Sequence, residues 1–117
     1  MKTLEMNNPV YFDCDGTLIR DALPNERVCV TLIQHPYRGN APVGKVKMNA
    51  NINLLKDMNE RGRTVVVWSQ AGWLWADAVI RALELQNFVH YVLEKPIAYV
   101  DDLHASEFMT QRIFLND

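Results

Sequence analysis

Two carboxylates near the start of the chain have the type and spacing to do chemistry. Asp13 and Asp15 come directly after the apolar run 10–12 and are followed by Gly16 and Thr17. This pattern predicts a buried strand that ends in a tight loop and carries both carboxylates at its carboxyl end. One carboxylate in such a place can attack phosphorus, and the other can exchange a proton with the leaving oxygen and with water.

Four more polar side chains come where later apolar segments end: Ser69, Lys95, Asp101 and Asp102. The carboxyl ends of parallel strands lie at one edge of a sheet, and ligands bind at that edge. We therefore expect these side chains to gather with Asp13 and Asp15, although the residues lie far apart in the sequence.

Four carboxylates at one edge repel one another, and a divalent cation would compensate their charge. Oxygen ligands without a His or Cys cluster favour Mg²⁺ over Zn²⁺, and Mg²⁺ commonly shares its coordination shell with a substrate phosphate. Lys95 adds a positive charge, and Ser69 with the amides that open the next helix supplies donors for an anion. The set predicts a Mg²⁺ site that handles phosphate.

The elements that must position these residues alternate between apolar strands and amphipathic helices. Short apolar runs predict strands at 10–12, 65–68, 88–93 and 97–100. Helical spacing predicts one helix from Asn49, as its N-cap, to Gly62, and another over about 72–86. A short helix is expected within 103–117.

Residues 28–33 and 43–48 predict a β-hairpin, because breaker residues separate two strand-like runs. We expect this hairpin to project from the domain as a flap at about 27–48. The whole chain, 1–117, is predicted to form a single α/β domain. Its architecture is expected to be a three-layer, Rossmann-like, mostly parallel sheet flanked by helices, with no cap domain.

Composition excludes some classes of function. The 117 residues contain 12 Lys and Arg against 14 Asp and Glu, a net charge of −2, which predicts no membrane partner and no general nucleic-acid binding surface. No apolar run approaches the ~20 residues of a membrane span, and no secretory signal is recognisable, so a cytoplasmic protein is expected. Cys14 and Cys29 are expected to be reduced, partly buried thiols.

At residues 12–18, Phe-Asp-Cys-Asp-Gly-Thr-Leu, the chain resembles the first motif of the haloacid dehalogenase-like phosphohydrolase superfamily. Ser69 resembles its second motif, Lys95 its third, and the pair Asp101 and Asp102 its acidic fourth, in the same order along the chain. The resemblance covers residues 10–102.

The resemblance implies that Asp13 is the nucleophile and Asp15 the general acid and base. Ser69 and Lys95 would bind the substrate phosphate. Mg²⁺ would be held by Asp13, the backbone carbonyl of Asp15, and one or both residues of the Asp101-Asp102 pair. The implied activity is Mg²⁺-dependent hydrolysis of a phosphomonoester through an aspartyl-phosphate.

The chain departs from larger members of that superfamily because only six positions separate Lys95 from Asp101, too few for the usual intervening helix. There is also no room for a cap domain. The site is therefore expected to be open and to admit a bulky phosphorylated substrate, such as a protein, a nucleotide or a nucleic-acid end. A second copy of the chain in a homo-oligomer could cover it.

Two other functions stay open at this point. A phospho-accepting signalling module also has a parallel sheet with an acceptor Asp, a hydroxyl residue and a Lys, but its acidic pair comes first in the chain rather than last. The other alternative is a regulatory protein that has kept the fold and lost the activity. The intact acidic positions disfavour it.

Several residues also have a structural interpretation. Asp101 and Asp102 could cap the closing helix, Ser69 could be an ordinary turn residue, and Lys95 could be a solvated charge.

Trp73 and Trp75 are interpreted as packing residues of the core or its rim. His35, Tyr37 and Arg38, at the hairpin tip, are interpreted as a solvated loop, with Arg38 the best placed of them to contact a phosphate.

Overall fold

The computed structural model describes residues 5–32 and 43–113. Its elements in chain order are β1 (Glu5–Asp13), β2 (Ile19–Asp21), β3 (Val30–Leu32), β4 (Val43–Lys47), α1 (Asn49–Glu60), β5 (Arg63–Ser69), α2 (Trp73–Ala82), a 3-10 helix (Gln86–Phe88), β6 (Tyr91–Glu94) and α3 (Ala105–Phe108).

Three of the strands form a parallel sheet in the order β1-β5-β6. The central strand β5 is the predicted run 65–68, extended at both ends, and its residues Val65, Val66 and Val67 are all buried. A strand that is apolar on both faces is typical of the middle of a parallel sheet. The sequence β5-α2-β6 forms a βαβ unit. The protein is thus an α/β fold with a three-stranded parallel sheet flanked by helices.

The second sheet is small and antiparallel, with the order β2-β4-β3. The predicted pairing of the two hairpin strands is confirmed, whereas β2 was not predicted. The sheet does not project from the domain, because Ile19, Val30 and Leu32 are buried in the main core. The hairpin tip, with His35, Tyr37 and Arg38, lies outside the described residues.

One face of the parallel sheet carries the core. Phe12 of β1 and Val67 of β5 are partners in the strand register, and both are buried. They belong to one apolar cluster that includes Leu55 of α1, Ile80 of α2 and Ile19 of β2. Both long helices and the antiparallel sheet therefore contribute to the same core.

The other face of the sheet is different in character. Tyr11, Trp68, Tyr91 and Leu93 alternate with the core residues along the strands and lie outside the core cluster. Tyr91 and Leu93 are exposed, and Tyr11 and Trp68 border a cleft lined partly by segment 108–113. Within the described residues, the expected three-layer arrangement is not confirmed.

The two long helices lie where their apolar periodicity predicts, but their first or last residues differ from the prediction. Met48, rather than Asn49, is the N-cap of α1, while Gly62 follows the helix with φ 84°, a conformation that glycine adopts without strain. Helix α2 ends at Ala82, earlier than expected, because Glu84 takes a positive φ of 58° that interrupts helical geometry.

The predicted strand at 97–100 is wrong. Ile97 and Val100 are fully exposed, and no strand forms there. A strand parallel to its neighbour needs a crossover of about a dozen residues, and only Lys95 and Pro96 separate β6 from Ile97. Pro96 also lacks the N–H that would continue the pairing of β6. The following residues, Asp101 and Asp102, consequently do not lie at the end of a sheet strand.

The predicted closing helix is confirmed as the four residues of α3. Its N-terminus is capped by Glu107, whose carboxylate accepts a hydrogen bond from the N–H of His104 at 2.9 Å. Within 5–32 and 43–113, no helix combines the length and the apolar character needed to cross a bilayer.

The effect of replacing Ile by Ala on the free energy of unfolding can be compared between a buried core position and an exposed position after β6. We expect Ile80→Ala to lower the free energy of unfolding by about 2–5 kcal/mol, because Ile80 is 2% exposed. Ile97→Ala should change it by less than about 0.5 kcal/mol. Urea denaturation of both variants measures this. A large loss for Ile97→Ala would mean that residues 97–100 pack as a buried strand.

Candidate active site

Asp13 is the last residue of β1 and lies half-buried at the carboxyl end of the parallel sheet. It lines a cleft of about 850 Å³ together with Gly16, Thr17 and Lys95. The sequence predicted that Asp13 and Lys95 would meet at this edge, and the structure places both on the wall of this cleft.

The electrostatics of Asp13 suit a reactive carboxylate. Burial raises the pKa of its carboxyl above the ordinary value of 3.8. A hydrogen bond from the Cys14 backbone and the positive charge of Lys95 oppose this rise in pKa, and the negative charge of Asp15 adds to it. Lys95 is therefore close enough to act on the charge of Asp13.

The loop after β1 is held by its own backbone. The carbonyl of Cys14 accepts hydrogen bonds from the N–H groups of Thr17, Leu18 and Ile19, and Gly16 supplies a positive φ of 83°. This tight turn is the one that the Asp-x-Asp-Gly-Thr spacing predicted.

Both cysteines are free, so no disulfide joins them. Cys14 is fully buried, as expected, and burial followed by the charges of Asp13 and Asp15 raises the pKa of its thiol. Cys29 is exposed, so the expectation that it would be partly buried is wrong. Its place just before β3, at the edge of the small sheet, explains its exposure.

Asp15 is held by two side chains that sequence reasoning did not assign to the site. The indole Nε1 of Trp75 donates a hydrogen bond to its Oδ2 at 2.8 Å, and the ammonium of Lys45 lies 3.4 Å from its Oδ1. Lys45 also donates to Asp21 at 2.7 Å. The Asp15 carboxylate is thus fixed between α2 and the antiparallel sheet.

The sequence contained only weak indications that Trp75 and Lys45 contact Asp15. Trp75 is buried, as its interpretation as a packing residue predicted, but apolar periodicity does not say where its N–H points. Lys45 is only 4% exposed, whereas a Lys in a short strand is ordinarily solvated. The strand register, which pairs Lys45 with Asp21, is what places it inside.

Ser69 ends β5 and is buried. Its Oγ accepts a hydrogen bond from the N–H of Ala71 at 3.1 Å, and its carbonyl accepts one from the N–H of Lys95 at 3.0 Å. Ser69 is not among the residues that line the cleft. In this structure it forms the turn that leads into α2 and joins the ends of β5 and β6, which fixes the backbone of Lys95.

Asn51, in the first turn of α1, is a further residue of the cleft that the sequence did not single out. Its Nδ2 donates to the carbonyl of Thr17 at 2.7 Å, which ties the loop after β1 to the helix. The amide oxygen of Asn51, Oδ1, can only accept hydrogen bonds. It is buried and has no hydrogen-bond partner among the described residues. In the sequence, the indication of this role was that Asn51 is a polar residue on an otherwise apolar helix face.

Asp101 and Asp102 are exposed and do not line the cleft. Asp101 Oδ1 accepts the N–H of Leu103 at 3.0 Å, and this hydrogen bond lowers the pKa of Asp101. Both residues follow the segment that was wrongly predicted as a strand, so the sheet does not carry them to the site. Asp101 forms a turn ahead of α3, but the interpretation of the pair as caps of that helix is wrong, because its N-cap is His104.

The expected magnesium ligands are not assembled in this structure. In the part of the chain that is described, no three His, Cys, Asp or Glu side chains form a group that could hold a metal ion. The set of Asp13, Asp15, Asp101 and Asp102 therefore does not fit a shared Mg²⁺ here. The requirement for Mg²⁺ stays a prediction. Asp13 and Lys95 line the cleft, whereas Asp15 is not among the residues that line it.

Comparison of the chain with protein-family models, with curated proteins and with solved structures finds no match. Function must therefore be argued from the geometry of the cleft.

Lys45 offers a direct test of how Asp15 is held. Lys45→Met removes a buried cation that faces two carboxylates, so we expect the free energy of unfolding to fall by about 1–3 kcal/mol. Lys47→Met, in the same strand and less buried, is the matched control and should change it by less than about 0.5 kcal/mol. Chemical denaturation of both variants gives the comparison, and equal effects would contradict the arrangement.

Proposed function

We propose that the protein is a phosphatase that hydrolyses a phosphomonoester through an aspartyl-phosphate on Asp13. Mg²⁺ enters the proposal as the cofactor that the motif at residues 12–18 implies, because the described carboxylates are not gathered around one metal position. The observation that carries the proposal is the meeting of Asp13 and Lys95 in one cleft at the carboxyl ends of parallel strands. The resemblance of residues 12–18 to the first motif of the haloacid dehalogenase-like superfamily supports it.

In the first step, an oxygen of Asp13 attacks phosphorus while the bond from phosphorus to the leaving oxygen breaks. The positive charge of Lys95 attracts the dianionic phosphate and stabilises charge that develops on its oxygens. Asp15 gives a proton to the leaving oxygen.

In the second step, water attacks the phosphorus of the acyl phosphate, and Asp15 takes up the proton that water loses. The bond between phosphorus and the Asp13 oxygen breaks, and inorganic phosphate leaves. Both carboxyl groups return to their starting states. The hydrogen bond from Trp75 keeps Asp15 oriented through both steps, because it restricts rotation of the carboxylate.

We also propose that the protein has the three-layer Rossmann-like architecture of the haloacid dehalogenase-like superfamily. This architecture requires a layer of protein against the uncovered sheet face at the exposed residues Tyr91 and Leu93, and it leaves the end of that face at Tyr11 and Trp68 open as the cleft. Segment 108–113, which lines the cleft beside that face, is the part of the chain that favours it.

One observation favours a second candidate, a protein that accepts a phosphoryl group and retains it. Both oxygens of Asp15 already contact a donor or a cation, and this would slow activation of water. Phosphorylation by acetyl phosphate, followed by intact-mass spectrometry over time, separates the two. A phosphoenzyme that persists for hours favours the acceptor, and rapid release of phosphate favours the phosphatase.

The nucleophile is tested by Asp13→Asn. We expect hydrolysis of p-nitrophenyl phosphate with Mg²⁺ to fall by about 10³-fold or more, because an amide cannot form the acyl phosphate. Asp77→Asn, a surface substitution on α2, is the matched control and should keep wild-type activity. Excess EDTA should abolish the wild-type reaction. Full activity of Asp13→Asn would contradict the assignment, and activity that survives EDTA would remove Mg²⁺ from the proposal.

The pH dependence follows from the raised pKa of Asp13. The nucleophile must be ionised, so kcat/KM should fall with decreasing pH at a midpoint above the ordinary value of 3.8. Lys95→Met removes a charge that lowers the pKa of Asp13, so the midpoint should move to higher pH. Lys56→Met, on α1 against Phe88, should leave it unchanged. Rate profiles between pH 3 and pH 8 measure this, and a midpoint that is the same in all three proteins would disprove it.

A further inference from the structure

We propose that the substrate of this cleft is a nucleotide, a phosphate ester whose sugar carries a nucleobase, and that the base stacks on aromatic side chains that line the cleft together with Asp13. This inference rests on the proposed function, in which a phosphate reacts at Asp13. It adds the class of molecule that carries this phosphate. It is carried by two pairs of aromatic rings and an excess of positive charge in one cleft.

The first aromatic pair lies next to the nucleophile. Trp68 is the register partner of Asp13 on the neighbouring strand, and Tyr11 lies two residues before Asp13 on the same face. The rings of Tyr11 and Trp68 pack with centroids 4.6 Å apart. Both line the cleft, on the face of the sheet that the core does not cover. A planar group joined to a phosphate at Asp13 would meet these rings.

The second aromatic pair comes from the segment after β6. The rings of Tyr99 and Phe108 lie edge to face, with centroids 6.0 Å apart, and both line the same cleft. Tyr99 and Phe108 are 52% and 47% exposed, although large aromatic side chains are usually more buried. The hydroxyl of Tyr99 accepts the N–H of Ala105 at 2.9 Å, which fixes this part of the segment.

The charges that line the cleft suit an anion. Arg63, Lys95 and Arg112 contribute three cations, and Asp13 is the one acidic side chain among the described residues that line it. The protein as a whole has a net charge of −2. The cleft is therefore positive on a slightly acidic protein, an arrangement that concentrates small anions at the site.

Stacking on aromatic rings combined with nearby cations is how proteins bind nucleotide bases with their phosphates. The cleft, at about 850 Å³, is within the range of small-molecule sites, roughly 300–1,000 Å³. The small acidic net charge disfavours long contact with a nucleic-acid backbone. A free nucleotide and the 5′-phosphorylated end of a short oligonucleotide both carry the chemistry that the cleft would recognise.

The test measures binding to the Asp13→Asn protein, so that turnover plays no part in the readout. Adenosine 5′-monophosphate and ribose 5-phosphate are compared by isothermal titration calorimetry, since they differ only in the base. We expect adenosine 5′-monophosphate to bind about tenfold more tightly, or better, because of base stacking. Equal affinity of the two ligands would overturn the inference.

Variants in the same background locate the base. Phe108→Leu keeps an apolar side chain and removes the ring, and Tyr99→Leu does the same for Tyr99. Each should weaken binding of adenosine 5′-monophosphate by about fivefold or more and leave that of ribose 5-phosphate unchanged. Tyr91→Leu, an exposed aromatic on β6 that does not line the cleft, is the matched control. Equal losses for both ligands, or no loss, would overturn the placement of the base.

Two further measurements separate this inference from the proposed function. If adenosine 5′-monophosphate binds as expected but p-nitrophenyl phosphate is not hydrolysed by the wild-type protein, nucleotide recognition stands and the phosphatase proposal fails. If hydrolysis occurs but the base adds no affinity, the phosphatase stands and the inference fails. A 5′-phosphorylated tetranucleotide that binds more tightly than adenosine 5′-monophosphate would support the inference with a nucleic-acid end as the source.

Discussion

The parallel pairing of β1 with β5 is the constraint on which the rest of the structure depends. Its register sets Asp13 beside Trp68 and Phe12 beside Val67, so that alternate residues of the same two strands face the cleft and the core. A shift of one residue would exchange the two faces and bury the carboxylate in the apolar cluster. The position of Asp13 in the cleft and the stability of the sheet are therefore fixed by the same hydrogen bonds.

The loop after β1 depends on a second set of contacts that crosses the molecule. Asp15 is joined to α2 through Trp75 and to the antiparallel sheet through Lys45, while Asn51 of α1 binds the carbonyl of Thr17. Three separate elements thus hold one short loop. Such support limits the motion of the Asp15 carboxylate and of the turn at Thr17.

The cleft lies at the face of the parallel sheet that the core does not cover. A parallel sheet is ordinarily covered on both faces, and here the apolar core covers one of them. The face with Tyr11 and Trp68 borders the cleft, where aromatic rings and cations combine near Asp13. The nucleotide that we propose would bind on this surface.

The sequence by itself determined the features that depend on neighbours in the chain. The apolar run before Asp13, the tight turn at Gly16 and the periodicity of α1 all follow from local sterics and spacing, which act over a few residues. Only the tertiary structure decided the inward position of Lys45 and the exposure of residues 97–100 with the Asp pair that follows. Those outcomes depend on whether a distant segment supplies a partner: Asp21 does so for the charge of Lys45. Residues 97–100 cannot join the sheet as a parallel strand, because Lys95 and Pro96 form too short a connection after β6.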